Sequence, residues 1–229
     1  MNVLKLMQSN TYRDLKEDNN MNTREWTGII LAGGLSSRMG TNKAMLELNG
    51  SLVLQHITKA MRPAVSRIIV AAGPNVTTYG AMGFYCVQDH YPGKGPLAGL
   101  HVALEASDTD WNLVCACDMP LLQTSFFDGI KKLVESHNSY AAIVPRVDGH
   151  VHPLAGAYHK RVLPDLEQRL NQDHLRVMGW LEEIGCLYVE TEELERVGVH
   201  QVAMQMSNMN TPEEYERIRN QDSGLDSDL

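Results

Sequence analysis

The chain has 229 residues, of which 43% are apolar and 21% are charged, and its formal net charge is -8. This length and composition predict one large globular domain, or at most two small ones. The net negative charge and the lack of a dense Lys/Arg cluster exclude nucleic acid as a partner, and no stretch approaches the roughly 18 apolar residues that span a membrane. We expect a cytoplasmic protein, because the N-terminus lacks the apolar core of a signal peptide.

The two ends of the chain differ in composition from the part between them. Residues 1–25 are polar and lack hydrophobic periodicity, which predicts a disordered extension. Residues 221–229 are acidic and predict a disordered tail. The segment 26–220 is predicted to form a single domain.

Apolar runs with the length of buried strands alternate with segments of helical periodicity. Strands are predicted at 27–31, 65–73, 84–89, 111–118 and 140–147, and helices at 51–61, 95–107 and 125–136. The dipeptide Asn49-Gly50 predicts a tight hairpin within the first connection. The alternation indicates an α/β fold, a mostly parallel, Rossmann-like sheet with helices on both faces, and after Gly149 a small C-terminal lobe packed on it.

The loop after the first strand has the composition of a phosphate-binding loop. It reads LAGGLSSRMGTNKAML from Leu31 to Leu46. Gly33 and Gly34 leave the backbone amides exposed to an anion, while Arg38 and Lys43 supply two positive charges. Neither the G-x-x-x-x-G-K-[ST] pattern nor the G-x-G-x-x-G pattern is present, which excludes a P-loop and a dinucleotide-dependent oxidoreductase. The alternative is a glycine-rich surface turn.

Asp118 follows a buried strand and is expected at the same edge of the sheet as the glycine loop. One carboxylate, phosphate oxygens and water are the usual ligands of a nucleotide-bound Mg²⁺. The alternative is that Asp118 caps the next helix. The presence of the phosphate loop favours the metal.

Several motifs together resemble a known family. The glycine loop closely resembles the signature L-A-G-G-x-S-x-R-M-G-x-D-K of the nucleotidyltransferase superfamily. The stretches GPLAGL and CDMP are similar to those of the molybdenum cofactor guanylyltransferases, the MobA family, and HPLAGAYH, LRVMGWLEEIG and NMNTPEEY follow in the order of that family. The resemblance covers residues 27–218 and implies a sheet of the nucleotide-diphospho-sugar-transferase type.

The resemblance implies that GMP is transferred from GTP to the terminal phosphate of molybdenum-molybdopterin, with release of pyrophosphate and with Mg²⁺ as cofactor. Other proteins of molybdenum cofactor biosynthesis, or proteins that accept the cofactor, are further expected partners. Arg38 and Lys43 would neutralise the triphosphate, and Asp118 would hold the metal. The nucleotide would contact Leu31, Ala32 and Gly33 of the first loop and Asp89 of the third strand.

The acceptor side has fewer signals. Asn208 and Asn210 alternate on a short extended stretch and are predicted to bind the pterin or its phosphate, although the start of a helix at Thr211-Pro212 explains part of this motif. Four further candidates for acceptor contacts are Arg146, His150, His152 and Arg176.

The sequence departs from the family at two places. Asn42 stands where the family commonly has Asp before the lysine, and the stretch VAAG lacks a polar side chain that some members use near the nucleotide. Two alternatives therefore remain open. One is a cytidylyltransferase or a sugar- or polyol-phosphate nucleotidyltransferase of the same superfamily, and the other is a nucleotide-binding module without turnover.

Overall fold

The computed structural model describes residues 25–34 and 42–222. The predicted extension at residues 1–25 lies outside the described residues except for Glu25, and the predicted tail at 221–229 lies outside them except for the end of the last helix. No helix within the described ranges combines the length and the apolar character that crossing a bilayer requires.

A central sheet is the main element of the described chain, and a short hairpin lies beside it. The sheet consists of β1 (Thr27–Leu31), β4 (Arg67–Ala71), β5 (Cys86–Val87), β6 (Trp111–Ala116), β7 (Ala142–Val147), β8 (His150–Val151), β9 (Ala155–His159) and β10 (Cys186–Glu190), and the hairpin of β2 (Glu47–Leu48) and β3 (Ser51–Leu52). The strand order is β10-β7-β9-β6-β1-β4-β5, with β8 paired to β7. β9 is antiparallel to both of its neighbours and β8 is antiparallel to β7. All other pairs in the sheet are parallel, so the predicted mostly parallel sheet is confirmed.

Helices cover both faces of the sheet. They are α1 (Val53–Met61), α2 (Val76–Ala81), α3 (Pro96–Glu105), α4 (Thr124–Ser136), α5 (Leu163–Asn171), α6 (Val177–Glu183), α7 (Thr191–Arg196), α8 (Val202–Gln205) and α9 (Pro212–Asp222). Buried side chains of α1, α4, α7 and α9 share one apolar cluster, and those of α3, α5 and α6 share another. In β1, Ile29 belongs to the second cluster and Ile30 to the first. Because the strand is buried on both faces, its residues Ile29, Ile30 and Leu31 are all apolar.

The hairpin turn forms where the sequence predicts it. Asn49 and Gly50 have φ angles of 44° and 75° between β2 and β3. Positive φ at both central residues is the requirement of a type I′ turn, whose twist matches that of the flanking strands. The C-terminal part, predicted as a small lobe, contributes β10 to the edge of the sheet and helices to both of its faces.

The three central strands end at the same level. In the parallel register Leu31 of β1 lies opposite Ala71 of β4 on one side and Ala116 of β6 on the other. The loops that follow these strands are therefore neighbours at the carboxyl edge of the sheet, where open α/β sheets bind their ligands.

Candidate active site

A cavity of about 620 Å³ opens at the carboxyl edge of β1, β4 and β6. Glycines line much of it, together with two carboxylates and one lysine. The described lining residues are Leu31, Gly33, Gly34, Lys43, Ala71, Gly73, Pro74, Gln88, Asp89, Pro92, Gly93, Gly95, Pro96, Gly99, Ala116, Cys117, Asp118 and Leu154. This volume is in the range of small-molecule sites.

Of the three residues predicted to present backbone to a nucleotide, Leu31 and Gly33 line the cavity and Ala32 lies behind it. The backbone N–H of Ala32 donates to the carbonyl oxygen of Ala71 at 2.9 Å, so this amide is already used within the protein. The carbonyl oxygen of Leu31 accepts from the N–H of Cys117 at 3.0 Å. These two bonds tie the start of the loop to the ends of β4 and β6.

Gly33 and Gly34 have different physical reasons for lacking a side chain. A Cβ atom at Gly33 would lie 2.9 Å from the backbone nitrogen of Gly73, a distance that real side chains do not reach. A Cβ atom at Gly34 would meet nothing within 4 Å in the described part of the chain. Packing between two loops thus explains Gly33, whereas Gly34 leaves bare backbone that faces the cavity. Ser36, Ser37 and Arg38 lie outside the described residues.

Lys43 stands at the centre of the polar groups. It begins a 3-10 turn, Lys43–Met45, that Asn42 caps by accepting from the N–H of Ala44 at 3.2 Å. The Lys43 ammonium donates to Oδ1 of Asn210 at 2.7 Å and lies 3.8 Å from Oδ2 of Asp118. The glycine loop, the end of β6 and the segment before α9 therefore converge on one positive charge.

Asp118 lies two residues beyond β6 and does not cap a helix. The next helix begins at Thr124 and its N-cap residue is Gln123, so the capping alternative is not realised. Burial raises the pKa of the Asp118 carboxyl, and the Lys43 ammonium opposes this rise. The backbone carbonyl of Asp118 accepts from the N–H of Met209 at 2.8 Å. Asp118 is thus a carboxyl group at the cavity whose ionised form is stabilised by a nearby cation.

The described residues hold no group of three or more His, Cys, Asp or Glu side chains that could bind a metal on their own. Asp118 is the carboxylate beside Lys43 and the cavity. A single carboxylate fits Mg²⁺ where phosphate oxygens and water complete the octahedron, which is the common arrangement in nucleotide sites. The donor set therefore fits a metal that is held together with a polyphosphate.

Asp89 lies in another part of the cavity wall, two residues after β5. Its Oδ1 atom is buried and has no hydrogen-bond partner among the residues that the structure describes, and burial raises the pKa of its carboxyl. A buried acceptor without a partner is unfavourable unless a ligand supplies the donor. Asp89 is thus a candidate ligand-binding group.

Asn210 is held in place by the start of α9. The side chain of Glu214 accepts from the N–H of Asn210 at 2.6 Å and from the N–H of Thr211 at 3.0 Å. The N–H of Glu214 donates in return to the hydroxyl of Thr211 at 3.2 Å, which forms a capping box. The Thr-Pro signal of the sequence is therefore a helix start, and this start directs Asn210 to Lys43. Asn208 is partly exposed and its role stays a prediction.

The thiol of Cys117 lines the cavity next to Asp118. Burial raises the pKa of Cys117 to about 12. At neutral pH the thiol is protonated, and the thiolate is the nucleophilic form of cysteine. Burial therefore disfavours the nucleophilic form of this cysteine.

Residues 28–184 match the family described as MobA-like NTP transferase domain. The "Probable molybdenum cofactor guanylyltransferase" of Bacillus cereus is 32% identical over 195 residues, which cover 83% of this chain and 94% of that protein. The protein of the same name from Carboxydothermus hydrogenoformans is 32% identical over 193 residues, which cover 84% and 94%. The molybdopterin-guanine dinucleotide biosynthesis protein A of Archaeoglobus fulgidus has the same fold, with a TM-score of 0.76, 21% identity and coverage of 86% of this chain and 99% of that one. The chain therefore belongs to the MobA-like NTP transferase family and is a nucleotidyltransferase.

Proposed function

We propose that this protein transfers GMP from GTP to the terminal phosphate of molybdenum-molybdopterin and releases pyrophosphate. The observation that carries the proposal is the convergence of Lys43, Asp118 and Asn210 at the glycine-lined cavity. The names of the curated relatives supply the nucleotide and the acceptor.

In this reaction an oxygen of the acceptor phosphate attacks the α-phosphorus of GTP. A new P–O bond forms, and the bond from the α-phosphorus to the bridging oxygen of pyrophosphate breaks. Because both reactants are anions, alignment and charge neutralisation supply most of the catalysis. Lys43 would neutralise the triphosphate and the departing pyrophosphate, and Arg38, from its place in the sequence, would do the same.

Asp118 would hold Mg²⁺ against the phosphates. When bound, the metal would add positive charge at the oxygens where negative charge develops. The raised pKa of the Asp118 carboxyl is consistent with this role, because a buried carboxylate gains from any cation beside it. Lys43 is the cation 3.8 Å from Asp118 in the structure, and it would turn toward the phosphates when they bind.

Asp89 would select the base. A carboxylate accepts two parallel hydrogen bonds, and guanine offers a matching pair of donors at N1 and N2. Adenine and cytosine do not offer this pair. Asp89 follows β5 and Asp118 follows β6, and these two strands lie three strand spacings apart, or roughly 14 Å. This separation leaves room for a nucleoside between the base and the phosphates.

The experiment that tests the proposal presents purified protein with Mg²⁺, molybdenum-molybdopterin and each of GTP, CTP, ATP and UTP, and measures pyrophosphate and the dinucleotide product. We expect release with GTP, and loss of release in Asp118→Asn. The matched control is Asp108→Asn, because Asp108 is an exposed carboxylate that pairs with Arg67, the first residue of β4, at the opposite end of that strand from the cavity. Release with CTP alone would indicate cytidylyl transfer, and nucleotide binding without release would indicate a non-catalytic binding module.

A further inference from the structure

The hydroxyl of Tyr79 lies behind the cavity, where the two ends of the glycine loop meet. Tyr79 belongs to α2 and its side chain is fully buried in the apolar cluster of that face of the sheet. Its hydroxyl lies 2.9 Å from Oδ1 of Asn42 and 3.3 Å from the carbonyl oxygen of Ala32. The two acceptors are ten residues apart in sequence, and the segment between them carries Gly33, Gly34 and Arg38.

The oxygen that Tyr79 contacts also determines the conformation around Lys43. Oδ1 of Asn42 accepts from the N–H of Ala44, and this bond caps the turn that begins at Lys43. A carbonyl oxygen has two lone pairs, so both bonds can form at once. The Tyr79 hydroxyl therefore contacts the Asn42 side chain, which caps the Lys43 turn. It also contacts the carbonyl oxygen of Ala32, the residue that follows β1.

Burial also keeps the Tyr79 hydroxyl protonated over a wide pH range. It raises the pKa of Tyr79 to about 12, so the hydroxyl keeps its proton at neutral and mildly alkaline pH. The single proton serves two acceptors, and the shorter distance favours Asn42 over Ala32.

We propose that Tyr79 is a positioning residue that holds Asn42, and through it Lys43, in the geometry that receives the triphosphate. The proposal rests on the proposed phosphate role of Lys43. It also gives a physical meaning to Asn42 in place of the family's usual Asp. The amide oxygen of Asn42 can accept the same two hydrogen bonds as a carboxylate oxygen.

The experiment measures equilibrium binding of GTP by calorimetry, which requires neither the acceptor nor turnover. In Tyr79→Phe the ring and its packing remain while both hydroxyl contacts are lost. We expect the Kd for GTP to rise about tenfold. In Asn42→Ala we expect a similar rise, in Asn42→Asp a Kd close to that of the wild type, and in the double variant Tyr79→Phe/Asn42→Ala no further rise beyond Asn42→Ala alone.

The matched control is Thr27→Val. Thr27 is the first residue of β1, is 1% exposed, and accepts a hydrogen bond from the Thr109 hydroxyl at 2.9 Å. Its variant loses one buried hydroxyl at the opposite end of the strand from Ala32. We expect it to lower the melting temperature much as Tyr79→Phe does and to leave the Kd for GTP unchanged.

Three results would overturn the proposal: an unchanged Kd in Tyr79→Phe, an equal rise in Thr27→Val, or additive effects in the double variant. If Tyr79→Phe does not fold, the Kd values for GTP of Asn42→Ala and Asn42→Asp are compared instead. Equal Kd values for these two variants would overturn the proposal. Wild-type protein that binds GTP without releasing pyrophosphate would contradict the proposed function and still allow this test. If wild type binds CTP and not GTP, the same variants are measured with CTP.

Discussion

The two halves of the carboxyl edge hold their charges in different ways. Around β1 and β6, the Lys43 and Asp118 side chains are only 14% and 28% exposed and lie against each other beside the cavity. Around β7 and β10, the Arg146 and Glu190 side chains are 44% and 40% exposed, with the Arg146 Nε 2.7 Å from Glu190.

Water screens the second pair more strongly than the first. The Lys43 and Asp118 charges can therefore act on a charged ligand within the cavity. The exposed Arg146–Glu190 pair can be rearranged by a charged ligand.

Removing the central cation tests the first half most severely. We expect Lys43→Met to lower kcat by about 10²- to 10³-fold, because it deletes a positive charge at the site of developing negative charge. The measurement is pyrophosphate release at saturating GTP. The matched control is Lys131→Met, which removes a partly buried lysine that donates to the Ala64 carbonyl at 2.8 Å. Turnover of Lys43→Met within threefold of the control would contradict the assignment.

A change of Asp89, the carboxylate at the other wall of the cavity, tests whether this half of the edge recognises the base. We expect Asp89→Asn to lower kcat/KM for GTP by about 10- to 100-fold, because an amide replaces one acceptor of the proposed guanine contact by a donor. The rates with GTP, ATP and CTP are compared under the same conditions. Equal losses with all three nucleotides would show that Asp89 does not read the base.

The exposed half predicts a smaller effect. We expect Arg146→Ala to raise the KM for molybdenum-molybdopterin by about tenfold at low salt and to leave the KM for GTP unchanged, because an exposed cation attracts an anionic ligand only weakly. The free energy of unfolding should hardly change, because an exposed ion pair contributes little to stability. A change in the KM for GTP of the same size would remove the distinction between the two halves.

The smallest expected effect is on stability. Burial raises the folded-state pKa of Asp89 above its ordinary value. The folded protein therefore disfavours the ionised form, and the contribution of the protonated form to stability is lost as pH rises through the folded pKa. Asp89→Asn should have a higher free energy of unfolding than wild type at pH 7, and the difference should vanish below the unfolded pKa near 4. Denaturant titrations at the two pH values measure it, and a difference independent of pH would contradict the cause.

The fold and part of the site follow from the sequence because their signals are local. The apolar run of β1, the Asn49-Gly50 turn and the alternation of strands and helices each depend on neighbouring residues, and the mostly parallel sheet is confirmed. The position of Asp118 near a strand end also follows, since residues 113–116, which end the strand before it, are all apolar. Whether Asp118 caps a helix does not follow from these signals, because the start of α4 six residues later depends on how the chain packs.

The rest of the site depends on residues far apart in the chain. The bond from Lys43 to Asn210 joins positions that are 167 residues apart, and no spacing rule relates them. A buried tyrosine such as Tyr79 has no sequence signal beyond its apolar ring, so its hydroxyl contacts appear only in three dimensions. The same holds for Gly33, whose lack of a side chain is explained by Gly73 and not by a phosphate.

The close approach of Gly33 to Gly73 has a consequence for exchanging parts between relatives. Each residue occupies the space that a methyl group on the other would need. The connections after the first and the fourth strand are thus one interlocked unit, although 40 residues separate them in the chain. A chimera that grafts only one of these connections from another transferase would force the two apart and deform the floor of the cavity, whereas a graft of both together preserves their fit.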